Sequence, residues 1–331
     1  MSQQDAVAWN EQDIAALTAK VGALKASMAR VIIGQEDVVE LLVTCLLAGG
    51  HALVEGVPGL GKTLLVKSLA QATDMQFRRV QFTPDLMPSD IVGTEILEED
   101  ASTHQRVFRF QPGPVFTQVL LADEINRAPP KTQSALLEAM QERSVTFAGQ
   151  THKLPRPFFV LATQNPIEQA GTYPLPEAQL DRFLMKTSIG YPSRSAMIDV
   201  LDGSASPDRS KNLRPLVTGQ DIVAWAALAS ANHTDRAVLD YVAALAEATR
   251  EDESSLLGVS TRGAIGMVRC ARVWAAAQGR NFVLPDDIKA LAVPVWAHRV
   301  IVDPDAAFSG ATAEGVIQRA LTSVPAPAVG A

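Results

Sequence analysis

Gly56-Val57-Pro58-Gly59-Leu60-Gly61-Lys62-Thr63, directly after the short apolar run His51-Ala52-Leu53-Val54-Glu55, fits G-x-x-x-x-G-K-[ST], the pattern of a phosphate-binding loop. Glycines at 56, 59 and 61 can adopt positive φ and carry no side chain, so successive backbone N–H groups can converge on an anion. Lys62 would set its ammonium against the β and γ oxygens as a point charge, and the Thr63 hydroxyl is small and hard enough to ligate Mg²⁺. The run from Leu64 to Ala70 reads as a helix whose N-terminal dipole faces the phosphates. Gly56, Val57, Pro58, Gly59, Leu60, Gly61, Lys62, Thr63 and Leu64 are thus the candidate residues around a bound nucleotide.

Outward from the loop, strands alternate with helices. Phe77–Phe82, Val119–Glu124, Phe158–Thr163 and Leu184–Ile189 read as strands, the second and third of them built on continuous apolar runs. This order predicts an α/β fold, an αβα sandwich built on a parallel sheet. Two stretches interrupt it. Ser89–Gly113 reads as an insertion with a hairpin and an acidic turn at Glu98-Glu99-Asp100, and Ser144–Phe147 with Thr151–Leu154 reads as a second hairpin. Upstream, Ile14, Leu17, Val21, Leu24 and Met28 repeat at helical steps, and Ile32-Ile33-Gly34-Gln35 leads into a helix over about Glu36 to Ala48. The 32–35 segment fits an adenine contact or plain apolar packing equally. After Tyr191-Pro192-Ser193 the pattern is helical throughout, with a polar loop near Gly203–Pro215, helices near 219–230, 235–251, 261–278 and 285–298, and a frayed Pro/Ala-rich tail after Thr322. The expected divisions are 1–30, an amphipathic helix; 31–192, the nucleotide-binding core; and 193–331, an all-α lid.

The chain has 331 residues, 47% of them hydrophobic, enough for two ordinary cores. Its net charge of −7 is spread out and leaves no basic footprint for nucleic acid. Two cysteines without a CxxC suggest neither a disulfide framework nor a zinc site, so a reduced, cytoplasmic setting is expected. No apolar run approaches the ~20 residues that span a bilayer, and the start lacks a signal-peptide pattern.

Asp123 and Glu124 close an apolar strand some sixty residues after Lys62. Asp123 would hold Mg²⁺ through its water shell, while Glu124 would orient and polarise the water that attacks the γ-phosphate. Asn165, ending the next strand, places an amide beside that water, although Asn-Pro is also a common turn signal. Among the arginines, Arg127, Arg182 and Arg262 stand out. Each also reads as a surface charge, but transition-state charge on a γ-phosphate is commonly met by an arginine from a neighbouring subunit. Arg182, on a helix before the last core strand, is where a ring partner would be reached.

The phosphate loop, together with Asp123-Glu124-Ile125-Asn126-Arg127-Ala128-Pro129-Pro130-Lys131 and Leu180-Asp181-Arg182-Phe183, resembles the MoxR group of AAA+ ATPases from about Ile32 to Val300. The resemblance implies ATP and Mg²⁺ as cofactors and a homo-oligomeric ring, expected as a hexamer. It assigns Asn165 to the first sensor, Arg182 to the arginine finger and Arg262, in Gly258-Val259-Ser260-Thr261-Arg262, to the second sensor. Whether Arg262 serves its own subunit or a neighbour stays open, and Arg127 receives no role. The activity implied is chaperone-like: remodelling a partner that carries a von Willebrand factor A domain, or helping insert a metal or cofactor. The alternative is a nucleic-acid motor, against which the insertion offers only Arg106 and Arg109 as cations. A nucleotide sensor without hydrolysis is a third reading, which Glu124 opposes.

Overall fold

The computed structural model describes residues 11–99, 105–165, 171–202 and 213–327. Met1 to Asp5, Asp100, Pro166, positions 203–212 of the polar loop and the last four residues lie outside the described residues.

The chain opens with α1 (Glu11–Ala29) and α2 (Glu36–Leu47), then runs β1 (Ala52–Glu55), α3 (Lys62–Ala72) and β2 (Phe77–Gln81). The insertion is α4 (Pro88–Val92) followed by the hairpin β3 (Gly93–Glu99) and β4 (Arg106–Pro112). Next come β5 (Val119–Asp123), α5 (Pro130–Glu142), a second hairpin of β6 (Ser144–Phe147) and β7 (Gln150–Lys153), β8 (Phe159–Gln164), the one-turn α6 (Glu177–Leu180) and β9 (Met185–Ser188). The lid comprises α7 (Arg194–Asp202), α8 (Gly219–Ser230), α9 (Arg236–Glu251), β10 (Ser255–Leu257), α10 (Thr261–Ala277), α11 (Pro285–Trp296), β11 (Ile301–Val302), α12 (Pro304–Phe308) and α13 (Ala313–Ser323).

Five strands form one parallel sheet in the order β2-β5-β8-β1-β9. Helices cover both faces, so the central strands are apolar throughout rather than alternating: β5 and β8 are buried almost end to end. The strand that precedes the phosphate loop is separated from the Asp123 strand by β8. This brings three strand ends, at Glu55, Gln164 and Asp123, side by side at one edge.

Local chemistry sets the helix ends. Gly49 at φ +65° closes α2, and the Gly50 N–H reaches back to Cys45 O at 3.0 Å. Thr218, Asp235 and Ser260 cap α8, α9 and α10 with side-chain oxygens. Ile14, Leu17, Val21, Leu24 and Met28 are all buried, and α1 packs on α2 and α3 of the core and also on α10 of the lid. It therefore staples the two regions together. The hairpins are joined as well: the Phe110 ring stacks on His152 with centroids 4.2 Å apart and meets Phe147 at 5.7 Å.

Two expectations require correction. The lid is not helical throughout, because β10 and β11 pair as an antiparallel ribbon. Arg182 does not lie on a helix: α6 ends at Leu180, and Arg182 sits in the following turn, its N–H bonded to Gln179 O at 3.2 Å.

Candidate functional site

The loop after β1 is shaped for an anion. Gly59 and Gly61 hold φ of +88° and +80°, in the left-handed region, and a Cβ at either would meet only open space. Gly61 begins the eleven-residue α3 with no side-chain cap, leaving the first amides of the helix available to a ligand. At Gly56 the constraint is steric, since a Cβ there would stand 2.9 Å from Ile189 O. Lys62 is buried and donates from Nζ to Gly56 O at 2.5 Å. Burial lowers its pKa, and the carboxylates of Asp123 and Glu124 oppose that shift.

Asp123 is buried between two neighbouring strands. Thr163, on β8, donates its hydroxyl to Asp123 Oδ1 at 2.6 Å and accepts the Glu124 N–H at 2.8 Å. Arg79, on β2, donates to Oδ2 from Nη2 at 2.6 Å and from Nε at 3.1 Å. Glu124 has left-handed backbone angles, φ +56° and ψ +50°, an uncommon conformation for a carboxylate residue. Its Oε2 accepts from Gln81 Nε2 at 2.7 Å and from Arg127 Nη1 at 3.1 Å. Asn165 is buried at the end of β8, one residue past the Glu55–Gln164 pair, on the same edge. Donors and ligands thus fit a Mg²⁺-nucleotide: an open amide cradle, a lysine, the Thr63 hydroxyl at the start of the helix, and the Asp123 carboxylate, near enough to Lys62 to oppose the lowering of its pKa.

Arg182 and Arg262 are elsewhere. They line a cleft of about 180 Å³ with Gly50, His51 and Leu184, residues that precede β1 and β9. The phosphate loop follows β1. Four residues of strand, at about 3.3 Å each, put roughly 13 Å between the two edges. Neither arginine shares an edge with Lys62. Sequence reasoning brings together Lys62, Asp123, Glu124 and Asn165, and the structure places these four on one edge and the two arginines on the other. It also adds Arg79, Gln81, Thr163 and the Arg127–Glu124 contact. Period-two alternation in β2 points Arg79 and Gln81 to one face, but only the pairing with β5 shows what they meet.

Arg109 is 3.6 Å from Glu98 across the first hairpin, so one of that hairpin's cations is partnered. No helix among the described residues is long and apolar enough to cross a membrane.

Residues 51–185 match the ATPase family associated with various cellular activities (AAA), and residues 247–320 match the AAA lid domain. Chaperone MoxR1 of Mycobacterium tuberculosis is 43% identical over 312 residues, covering 91% of this chain and 81% of that protein. Protein MoxR of Paracoccus denitrificans is 34% identical, covering 92% and 95%. A crystal structure from Cytophaga hutchinsonii, described as a candidate ATPase, superposes with a TM-score of 0.89 at 38% identity and covers 96% of this chain and 98% of that one.

Proposed function

Since the chain belongs to the MoxR family of AAA+ ATPases, we propose that it hydrolyses ATP with Mg²⁺ in a homo-oligomeric ring and spends that turnover on remodelling a partner protein. One observation supports the ring: the phosphate loop lies at the C-terminal ends of the strands and the cleft with Arg182 and Arg262 at their N-terminal ends, so a second subunit is the natural source of arginines for the pocket. The amides of residues 59–63 and Lys62 would bind the triphosphate, and Thr63 with Asp123 would hold Mg²⁺, whose charge screens the phosphate oxygens during attack. Glu124 Oε2 would accept a proton from the attacking water once Gln81 and Arg127 release it. Asn165 would orient that water. Arg182 and Arg262 of the adjoining subunit would meet the charge that builds on the γ-phosphate.

The partner class we propose is the one that the resemblance suggests: a protein with a von Willebrand factor A domain, with metal or cofactor insertion as one outcome of remodelling. The pairing of Arg109 with Glu98 supports a protein rather than a nucleic-acid substrate. Two measurements test this reading. Turnover per subunit should rise with protein concentration in step with assembly seen by sedimentation, and a monomer with full, concentration-independent turnover contradicts it. Capture with the Glu124→Gln variant and ATP should retain a von Willebrand factor A protein; capture dominated by nucleic acid contradicts the partner assignment.

A further inference from the structure

The residues on either side of Arg182 are gripped by one side chain from the lid. Arg299, in a single 3₁₀ turn (Ala297–Arg299) after α11, is buried, and its guanidinium donates from Nη1 to Asp181 O at 3.1 Å and from Nη2 to Phe183 O at 2.7 Å. Nη1 also bonds the Asp181 carboxylate at Oδ1. The third donor, Nε, bonds Val295 O at 2.9 Å and ties the fork to its own helix. His298 adds a bond from Nε2 to Phe183 O at 3.0 Å. The other Asp181 oxygen, Oδ2, lies 3.7 Å from Arg262 Nε. Room for the Arg299 stem comes from glycine: a Cβ at Gly263 would stand 3.0 Å from Arg299 Cδ.

A planar guanidinium with its donors in a fixed fork can hold two carbonyls and a carboxylate at once, whereas an ammonium has no such geometry. Asp181 therefore links two of the arginines that line the cleft. It is the neighbour of Arg182 in sequence and the counter-charge of Arg262 in space. Removing its carboxylate would leave the buried guanidinium without a counter-charge, which is costly, and would take away one of the bonds that hold the turn carrying Arg182.

We infer that Asp181 and Arg299 are positioning residues that lock Arg182 of the core and Arg262 of the lid into one rigid element, so that both arginines are presented together to the nucleotide of an adjoining subunit. The inference rests on the cross-interface reading above. Lid movement in this arrangement carries the finger with it, and a finger misplaced by about an ångström costs on the order of 10²-fold in rate without weakening substrate binding.

The test uses mixed rings. Acceptor subunits carry Arg182→Ala, with an intact pocket and no finger, and donor subunits carry Glu124→Gln, with arginines in place and no turnover of their own. Donors are then compared with and without Asp181→Asn, which keeps the side-chain shape. The expected result is a fall of about tenfold or more in kcat at the acceptor pockets, with KM for ATP changed less than about twofold and the donor's own ATP affinity unchanged. Arg299→Lys in the donor, which keeps the charge and loses the fork, should give the same split. Equal turnover with altered and unaltered donors overturns the inference and leaves the cross-interface reading standing. Absence of turnover with the unaltered donor overturns that reading and the inference with it. A loss seen only as a raised KM, or only as loss of folding in both variants, assigns Asp181 and Arg299 to scaffolding and overturns the inference.

Discussion

Arg79 and Asp123 form a two-donor ion pair in which Nη2 and Nε both reach Oδ2, at 2.6 and 3.1 Å. The other carboxylate oxygen is taken by the Thr163 hydroxyl. Any cation that uses the carboxylate as a direct or water-bridged ligand competes with a guanidinium already in place. Arg79→Ala should therefore lower the Mg²⁺ concentration needed for half-maximal nucleotide binding. The Arg79 side chain is 47% exposed, so solvent screening limits the effect to about 1 kcal/mol, or roughly fivefold. A Mg²⁺ titration of nucleotide binding checks this; a requirement for more Mg²⁺ in the variant contradicts it.

Lys62 is the cation of the phosphate loop and is buried against Gly56 O. Lys62→Ala should lose ATP binding while the sheet and its thermal transition persist, because among the described residues the lysine bonds a loop carbonyl and lies outside both apolar clusters. Binding measured by calorimetry decides the matter. Wild-type affinity in the variant would mean that another loop holds the phosphates.

Glu124→Gln keeps the shape and hydrogen-bonding capacity of the side chain but cannot take a proton from water. ATP affinity should stay near the wild-type value while turnover falls by about 10²–10⁴, the range of a lost general base. Residual hydrolysis close to the wild-type rate would move the catalytic role to another residue.

His51 needs to be neutral. Its Nε2 donates to Met140 O at 3.2 Å while Nδ1 accepts the Val160 N–H at 3.0 Å, a pairing only one neutral tautomer can make. Burial lowers its pKa from 6.5 to about 4. Because the unfolded chain takes up the proton first, this contribution to stability is complete above pH 6.5. It is lost as pH falls towards 4, by on the order of 3 kcal/mol in all. His298, lowered by burial to about 3, acts in the same direction. Denaturant unfolding across pH 4 to 8 should show a plateau above 6.5 and a decline below it. A His51 resonance titrating near 6.5 in the folded protein would remove this explanation.

The parts of the fold legible in the sequence are those whose chemistry is local. Gly59 and Gly61 must take positive φ to form the anion cradle, β5 and β8 must be apolar throughout because both faces are covered, and Ile14 to Met28 must repeat at helical steps to bury one face of α1. Asp123 and Glu124 stand out because two carboxylates end an apolar run. What stays hidden depends on distant pairings. Arg79 is forty-four positions from Asp123, and Arg299 is more than a hundred from the turn it grips. The ribbon of β10 and β11 joins strands of three and two residues, too short to show a period. Arg182 reads as helical from the Ala178–Phe183 run, yet the turn opens after Leu180 because the carbonyls of Asp181 and Phe183 bond Arg299 instead of continuing a helix.

The central claim is that a pocket is completed by its neighbour, and mixing two inactive variants tests it most directly. Arg182→Ala keeps its pocket and should bind ATP, with turnover reduced by ~10³–10⁵. Lys62→Ala keeps its arginines and lacks a pocket. Steady-state hydrolysis should be near background for each alone and should reappear when the two are mixed under conditions where rings form and exchange. Hydrolysis that stays at background in rings verified to contain both variants would contradict catalysis across the interface and the role of Arg182 in it.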